Sequence, residues 1–160
     1  MRSLSNLWLV LLLALSLFVH DVALAKRRGG DGGGGRDRNP PIQSVQNLGD
    51  ADLIRAVNDR RHVHFVRAGK VKVSKILPDD RHGRPHQRWY VRLSNGEEVF
   101  CVYNLDLGQH VPLQIGDEIV VAGEFKWTER GPLIHWLHYD PRGNRPDGYV
   151  VVNGVFYGAR

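Results

Sequence analysis

The sequence predicts a mainly β protein: a small five-stranded Greek-key barrel preceded by one N-terminal helix. Three observations predict it. The first strand-like run is interrupted by Gly69, as a bulged or bent barrel strand is. Asn95-Gly96 joins the second and third runs as a hairpin. Gly116-Asp117 turns the chain into a fourth run, and a fifth follows after a short loop.

Ahead of the barrel, residues 1–25 read as a secretory signal. Arg2 gives a basic start, residues 7–19 form an apolar core, and Ala23-Leu24-Ala25 supplies the small-x-small cleavage pattern. That core is too short to span roughly 30 Å of hydrocarbon as a stable helix. The expectation is therefore an exported chain, periplasmic or secreted, beginning at Lys26 with no transmembrane segment left. Cys101 is the only cysteine, which excludes an intrachain disulfide. Its neighbours Val99, Phe100 and Val102 make it a packed hydrophobe instead of a nucleophile.

Residues 26–41 contain six glycines and no hydrophobic residue, so burial cannot offset the entropy of ordering them. Five basic and two acidic residues there account for +3 of the net charge of +5. The basic character belongs to a flexible tether more than to the fold, and a solvated linker is its expected role.

One folded domain is expected over residues 42–160. Asp50 is placed to cap a helix whose Leu53, Ile54 and Val57 share one face, with Arg60 and Arg61 at its C-terminal end. From residue 63 to 77 the pattern is that of a strand, with Val71 and Val73 alternating against Lys70, Lys72 and Ser74 until Pro78-Asp79-Asp80 ends it. A two-residue turn at Asn95-Gly96 sets Ser94 opposite Glu97, and hence Val91 opposite Phe100, Trp89 opposite Val102 and Arg88 opposite Tyr103. This register buries Trp89, Val91, Leu93, Phe100 and Val102. It leaves His86, Arg88, Tyr90 and Arg92 outside, beside Val99, Cys101 and Tyr103.

In the fourth run, residues 118–127, Ile119, Val121, Phe125 and Trp127 alternate with polar or small residues. The loop 128–131 then sets Glu124 opposite His135 and Gly123 opposite Trp136, the tryptophan covering the glycine. Tyr149-Val150-Val151-Val152 reads as a short edge strand. The element order is that of an OB-like barrel, the oligonucleotide/oligosaccharide-binding type.

In such barrels the outward face of strands two and three is a common ligand surface. Arg88, Tyr90, Arg92 and Tyr103 interleave cations with aromatics there, as a groove for stacked bases or sugars requires. The competing reading has the helix covering this face to bury Val99 and Cys101. A second cluster lies at the barrel end, where His138 and Asp140 project from one strand face within reach of His86 and Asp80. These four carry the alternative reading, a divalent metal site of nitrogen and oxygen ligands. His135 projects the other way and is expected to pair with Glu124. His62 and His64 share a face at a strand start and read as a solvated pair.

The motifs Asp79-Asp80-x-x-Gly83-x-x-His86-Gln87-Arg88, Asn104-x-Asp106-Leu107, Gly116-Asp117, Gly123-Glu124-x-x-Trp127 and His135-Trp136-x-His138-x-Asp140-Pro141 stand in that order. In them the chain resembles the small exported bacterial proteins grouped as domain of unknown function 3465, over roughly residues 69–157. The resemblance implies a bacterial envelope or secreted protein with a small β-barrel. It implies no activity, since the family has none assigned. Against the pattern it implies, Tyr103 and Arg145 stand in place of histidine, and Leu137 in place of threonine. Two candidate ligands are thereby removed from any histidine metal cluster.

The first functional reading is an exported, non-enzymatic OB-like module that needs no cofactor and binds an extended ligand, nucleic acid or glycan. The alternative is a metal-dependent, phosphodiesterase-like hydrolase in which Asp80, His86, His138 and Asp140 hold a metal that activates water.

Overall fold

Residues 39–160 are described by a computed structural model, and all lie within one compact unit. The signal and nearly all of the tether fall outside the described residues. Two helices, α1 (Ile42–Gln46) and α2 (Ala51–Asp59), precede seven strands: β1 (Val63–Asp80), β2 (His86–Arg92), β3 (Glu98–Asn104), β4 (Glu118–Thr128), β5 (Gly131–His135), β6 (Tyr149–Val152) and β7 (Val155–Tyr157). Among the described residues no helix is long and apolar enough to cross a membrane.

The strands form one sheet in the order β1-β2-β3-β5-β4-β6-β7, and a further β1–β4 pairing closes the first five into a ring. Within the ring only β3 and β5 run parallel. This is the Greek-key OB-like barrel expected from the sequence, with β6 and β7 added beside β4.

Closure depends on the length and bend of β1. Its first half pairs with β4 and its second half with β2, so that Lys72 faces both Glu118 and Arg92. The register slips between Ala68 and Val71, where Lys70 adopts a left-handed φ of 57°. A bulge of this kind supplies the extra twist that a closed sheet needs. Gly69 serves a second purpose there: a Cβ would sit 2.5 Å from the Leu48 carbonyl oxygen, so only glycine admits the incoming chain.

Helix α2 buries Leu53, Ala56 and Val57 into the barrel core and packs chiefly on β1 and β4. Full burial of Leu53 or Val57 contributes roughly 1.5–3 kcal/mol each. Asp50 precedes the helix as expected but makes no capping hydrogen bond. Its carboxylate instead accepts from the backbone N–H and the hydroxyl of Ser94, in the β2–β3 turn. A second, smaller core lies outside the ring, where Val120 and Ala122 of β4 meet Tyr149 and Val151 of β6 and Val45 of α1. The short strand expected at 149–152 is thus an inner one, and β7 forms the edge.

The β2–β3 register corrects the sequence expectation by one residue. The Leu93 N–H donates to the Glu97 carbonyl, and the turn is Ser94-Asn95-Gly96, three residues long, with Gly96 at φ 90°. A left-handed glycine in third place is the usual geometry of that longer turn. Val91 consequently faces Val99, Trp89 faces Cys101, and Gln87 faces Tyr103. Trp89, Val91 and Leu93 point inward as predicted, but their partners in the core are Val99, Cys101 and Tyr103. Phe100 and Val102 lie outside.

The β4–β5 register matches expectation, with Glu124 opposite His135. Trp136 does not continue the strand. Its φ of 58° turns the chain away from β4, so Leu137, not the indole, enters the core and lies beside Gly123. Trp127, which alternates in sequence with Ile119, Val121 and Phe125, does not join them in the core: it is 36% exposed, under the Arg60 guanidinium.

Candidate functional site

The half-exposed outer face of β2 and β3 owes its composition to the shifted register. Alternation puts Arg88, Tyr90 and Arg92 on that face, and the three-residue turn sets Phe100 directly opposite Tyr90. Their rings lie 5.0 Å apart at 34°, a tilted pair within the favourable range for aromatics. Because β5 lies alongside β3, Leu133 borders Phe100 on the other side. The helix does not cover this face.

The flanking arginines are held by the fold. Arg88 donates through Nε and Nη2 to the Pro78 carbonyl at 3.2 and 2.8 Å, with Asp80 3.9 Å away. Arg92 donates to Glu98 Oε1 at 3.0 Å. Each guanidinium has five N–H donors, so both keep donors for a ligand. Tyr103, expected on this face, is fully buried in the core instead. Burial pushes its hydroxyl pKa up to about 12.

The barrel end holds a second polar region. Two adjoining cavities, of about 470 and 210 Å³, share Arg84, Asn104, Trp136 and His138 as walls. The smaller also reaches His86 and His135, and the larger reaches Asp140 and Arg145. Arg145 stacks over the Trp136 ring at 4.2 Å and donates through Nη1 to Glu124 Oε2 at 2.9 Å. One side chain thereby joins the cavity wall to the outer face of β4.

His138 is 96% removed from solvent, and its Nδ1 lies 2.7 Å from the Tyr139 carbonyl. A carbonyl can only accept, so Nδ1 carries the proton and Nε2 keeps its lone pair. Burial, ahead of the nearby charges, holds this imidazole below its ordinary pKa and therefore neutral.

The structure does not gather Asp80, His86, His138 and Asp140 into one ligand set. Asp140 is buried, but its carboxylate is consumed by the loop after it, accepting backbone N–H bonds from Arg142, Asn144 and Arg145. Asp80 faces His86 across the β1–β2 ladder and accepts from the His82 backbone N–H at 3.0 Å. Among the described residues these four side chains form no ligand cluster. Those that do are His62, His64 and Glu124, whose ligand atoms all lie within 4.8 Å of one another. They were legible as the His62-x-His64 spacing, but nothing in the sequence gave the strand they face.

Gln87 is another residue whose role the sequence did not reveal. Buried on β2, it donates to the Val111 carbonyl and accepts the Val111 N–H, both at 2.8 Å. Its amide thus mimics a backbone unit and pins the β3–β4 connection to the barrel.

A five-strand ring with β3 parallel to β5, and an aromatic outer face on β2 and β3 that neither described helix covers, defines a small barrel of the OB type. More particularly, the chain belongs to the DUF3465 family, described as proteins of unknown function, whose model matches residues 42–158. Comparison with curated proteins returns no match.

Proposed function

We propose that the protein is an exported, non-enzymatic binding module that takes single-stranded nucleic acid along the outer face of β2, β3 and β5. The observation that carries this reading is the Tyr90–Phe100 ring pair, half exposed on an uncovered face between two anchored arginines. Aromatic rings offer a sequence-tolerant platform for bases, and guanidinium groups follow the phosphates. OB-type barrels use this same face for oligonucleotides and oligosaccharides, an argument from fold analogy that supports the location more than the ligand. Arg84 and the Arg145–Trp136 stack would extend the path toward the barrel end.

Fluorescence anisotropy with a labelled single-stranded oligonucleotide tests the reading. With about three phosphate contacts, the logarithm of affinity should fall against that of salt with a slope of about −2. Tyr90→Ala or Phe100→Ala should weaken binding about tenfold or more, and Arg88→Ala should weaken it and flatten the salt slope. Binding that ignores all three variants would assign the affinity to the basic tether and sink the proposal. Salt-insensitive binding of a neutral glycan, with none of the oligonucleotide, would replace nucleic acid by sugar. Export is supported by the signal-like residues 1–25, and an N-terminus other than Lys26 on protein from envelope or culture medium would count against that cleavage.

A further inference from the structure

We propose that His62, His64 and Glu124 form a binding site for a divalent transition metal of the zinc class, apart from the Tyr90–Phe100 face. His62 immediately precedes β1 and His64 is its second residue, and the period of two puts both side chains on the outer surface, where both are exposed. Their rings meet edge-on, with centroids 4.5 Å apart. The β1–β4 pairing, with Val63 opposite Phe125, brings the neighbouring Glu124 against them. His62 Nε2 already lies 2.6 Å from Glu124 Oε1, and the three ligand atoms sit within 4.8 Å of one another. Zinc bonds of about 2.0–2.2 Å place tetrahedral ligands about 3.3 Å apart. The His62–Glu124 contact must open slightly and His64 must close by about 1.5 Å at most, movements that two exposed imidazoles can make by side-chain rotation.

The surroundings prepare the carboxylate for one-oxygen ligation. Oε2 is occupied by Arg145 Nη1 at 2.9 Å and has His135 Nε2 at 3.2 Å, which leaves Oε1 turned toward His62. A hydrogen bond to the non-ligating oxygen is the usual outer support of a metal-bound carboxylate. Glu124 is buried while His62 is 42% exposed, so the metal would rest on a fixed anchor with one position open to solvent. Two imidazoles and one carboxylate favour zinc, copper, nickel or cobalt over calcium and magnesium, which prefer all-oxygen sites. Lys126 Nζ, 3.5 Å from Oε1, competes with the ion and must swing aside.

The test is titration of the chelator-treated full chain with zinc, followed by calorimetry and thermal melting, and with Co²⁺, followed by its visible absorption. The expected result is one ion per chain, a raised Tm and Co²⁺ bands of a coordinated nitrogen–oxygen site. His64→Ala, at an exposed side chain without a hydrogen-bond partner among the described residues, should keep the circular dichroism of the parent yet lose affinity tenfold or more. Lys126→Ala should bind more tightly. Absence of a stoichiometric ion, or binding that survives His64→Ala unchanged, would overturn the proposal. Loss of binding on His82→Ala or His110→Ala instead would move the ion elsewhere and overturn it equally.

Discussion

The Asp50 carboxylate, at the start of α2, accepts two hydrogen bonds from Ser94, from the backbone N–H at 2.6 Å and from the hydroxyl at 2.9 Å. The residue that precedes the helix is thereby tied to a turn 44 positions away, and Asp50 is buried where they meet. Hydrogen bonds to a charged acceptor contribute about 1.5–3 kcal/mol, and their loss leaves the Ser94 donor unpaired. Asp50→Ala should lower stability by about 2 kcal/mol in urea denaturation, and Ser94→Ala, which keeps the backbone donor, by less.

Tyr103 has a buried hydroxyl without a hydrogen-bond partner among the described residues. Removing an unsatisfied buried group relieves its desolvation cost, so Tyr103→Phe should hold stability or raise it by about 1 kcal/mol. The same variant should leave oligonucleotide binding unchanged, because the ring faces the core. A clear loss of binding would restore Tyr103 to the ligand surface.

Acid should destabilise the fold from near neutrality downward. His135 and His138 both lie below the ordinary imidazole value of 6.5, chiefly because burial disfavours the charged ring. Each binds its proton more readily in the unfolded chain, and stability rises with pH wherever the unfolded state holds more protons. Their contribution is therefore complete above about pH 6.5 and is lost as pH falls below it. Glu124 and Asp140 act further down. Burial works to raise both, but His62, His135, Lys126 and Arg145 outweigh it at Glu124, and three backbone N–H groups outweigh it at Asp140, so both end below their ordinary values. Their stabilisation is present above the unfolded carboxyl range and lost as pH falls from there through their lower folded values. Urea midpoints should hold from pH 8 to about pH 6.5 and fall from there to pH 5, and His138→Gln should flatten the upper part of that decline.

Gly123 lies where β5 leaves β4, and a Cβ there would run into the His135 carbonyl oxygen, with Leu137 Cδ2 at 3.1 Å. The obstruction is backbone and cannot rotate away. Gly123→Ala should cost about 1–3 kcal/mol. Gly49→Ala, whose new methyl meets nothing within 4 Å, should change the denaturation midpoint little.

The sequence disclosed parity within strands better than pairing between them. The inward set Trp89, Val91 and Leu93 is a matter of period two and was legible. Whether Phe100 or Cys101 faces inward depends on one residue of turn length, and Asn95-Gly96 suits both a two-residue loop and the last two places of a three-residue one. That ambiguity alone displaced Tyr103 from the predicted site and Phe100 from the predicted core. Trp136 escaped for another reason: a left-handed backbone at a bulky residue has no signature in the sequence. The His62–His64–Glu124 cluster depends on β1 meeting β4 across 62 positions and two register slips, which no local pattern encodes. The Glu124–His135 pair was readable because a short loop connects its two strands.

Because β1 serves as both the first and the closing stave of the ring, its eighteen residues are shared between two partners, the first half pairing with β4 and the second with β2. Among the described strands, the one at the end of the sheet beyond the ring is β7, three residues long. Edges invite pairing with other chains in proportion to their length and flatness. Resistance to edge-to-edge aggregation therefore rests on the bulged corner at Lys70: if β1 is straightened there, the ring opens and two long strands become templates at once.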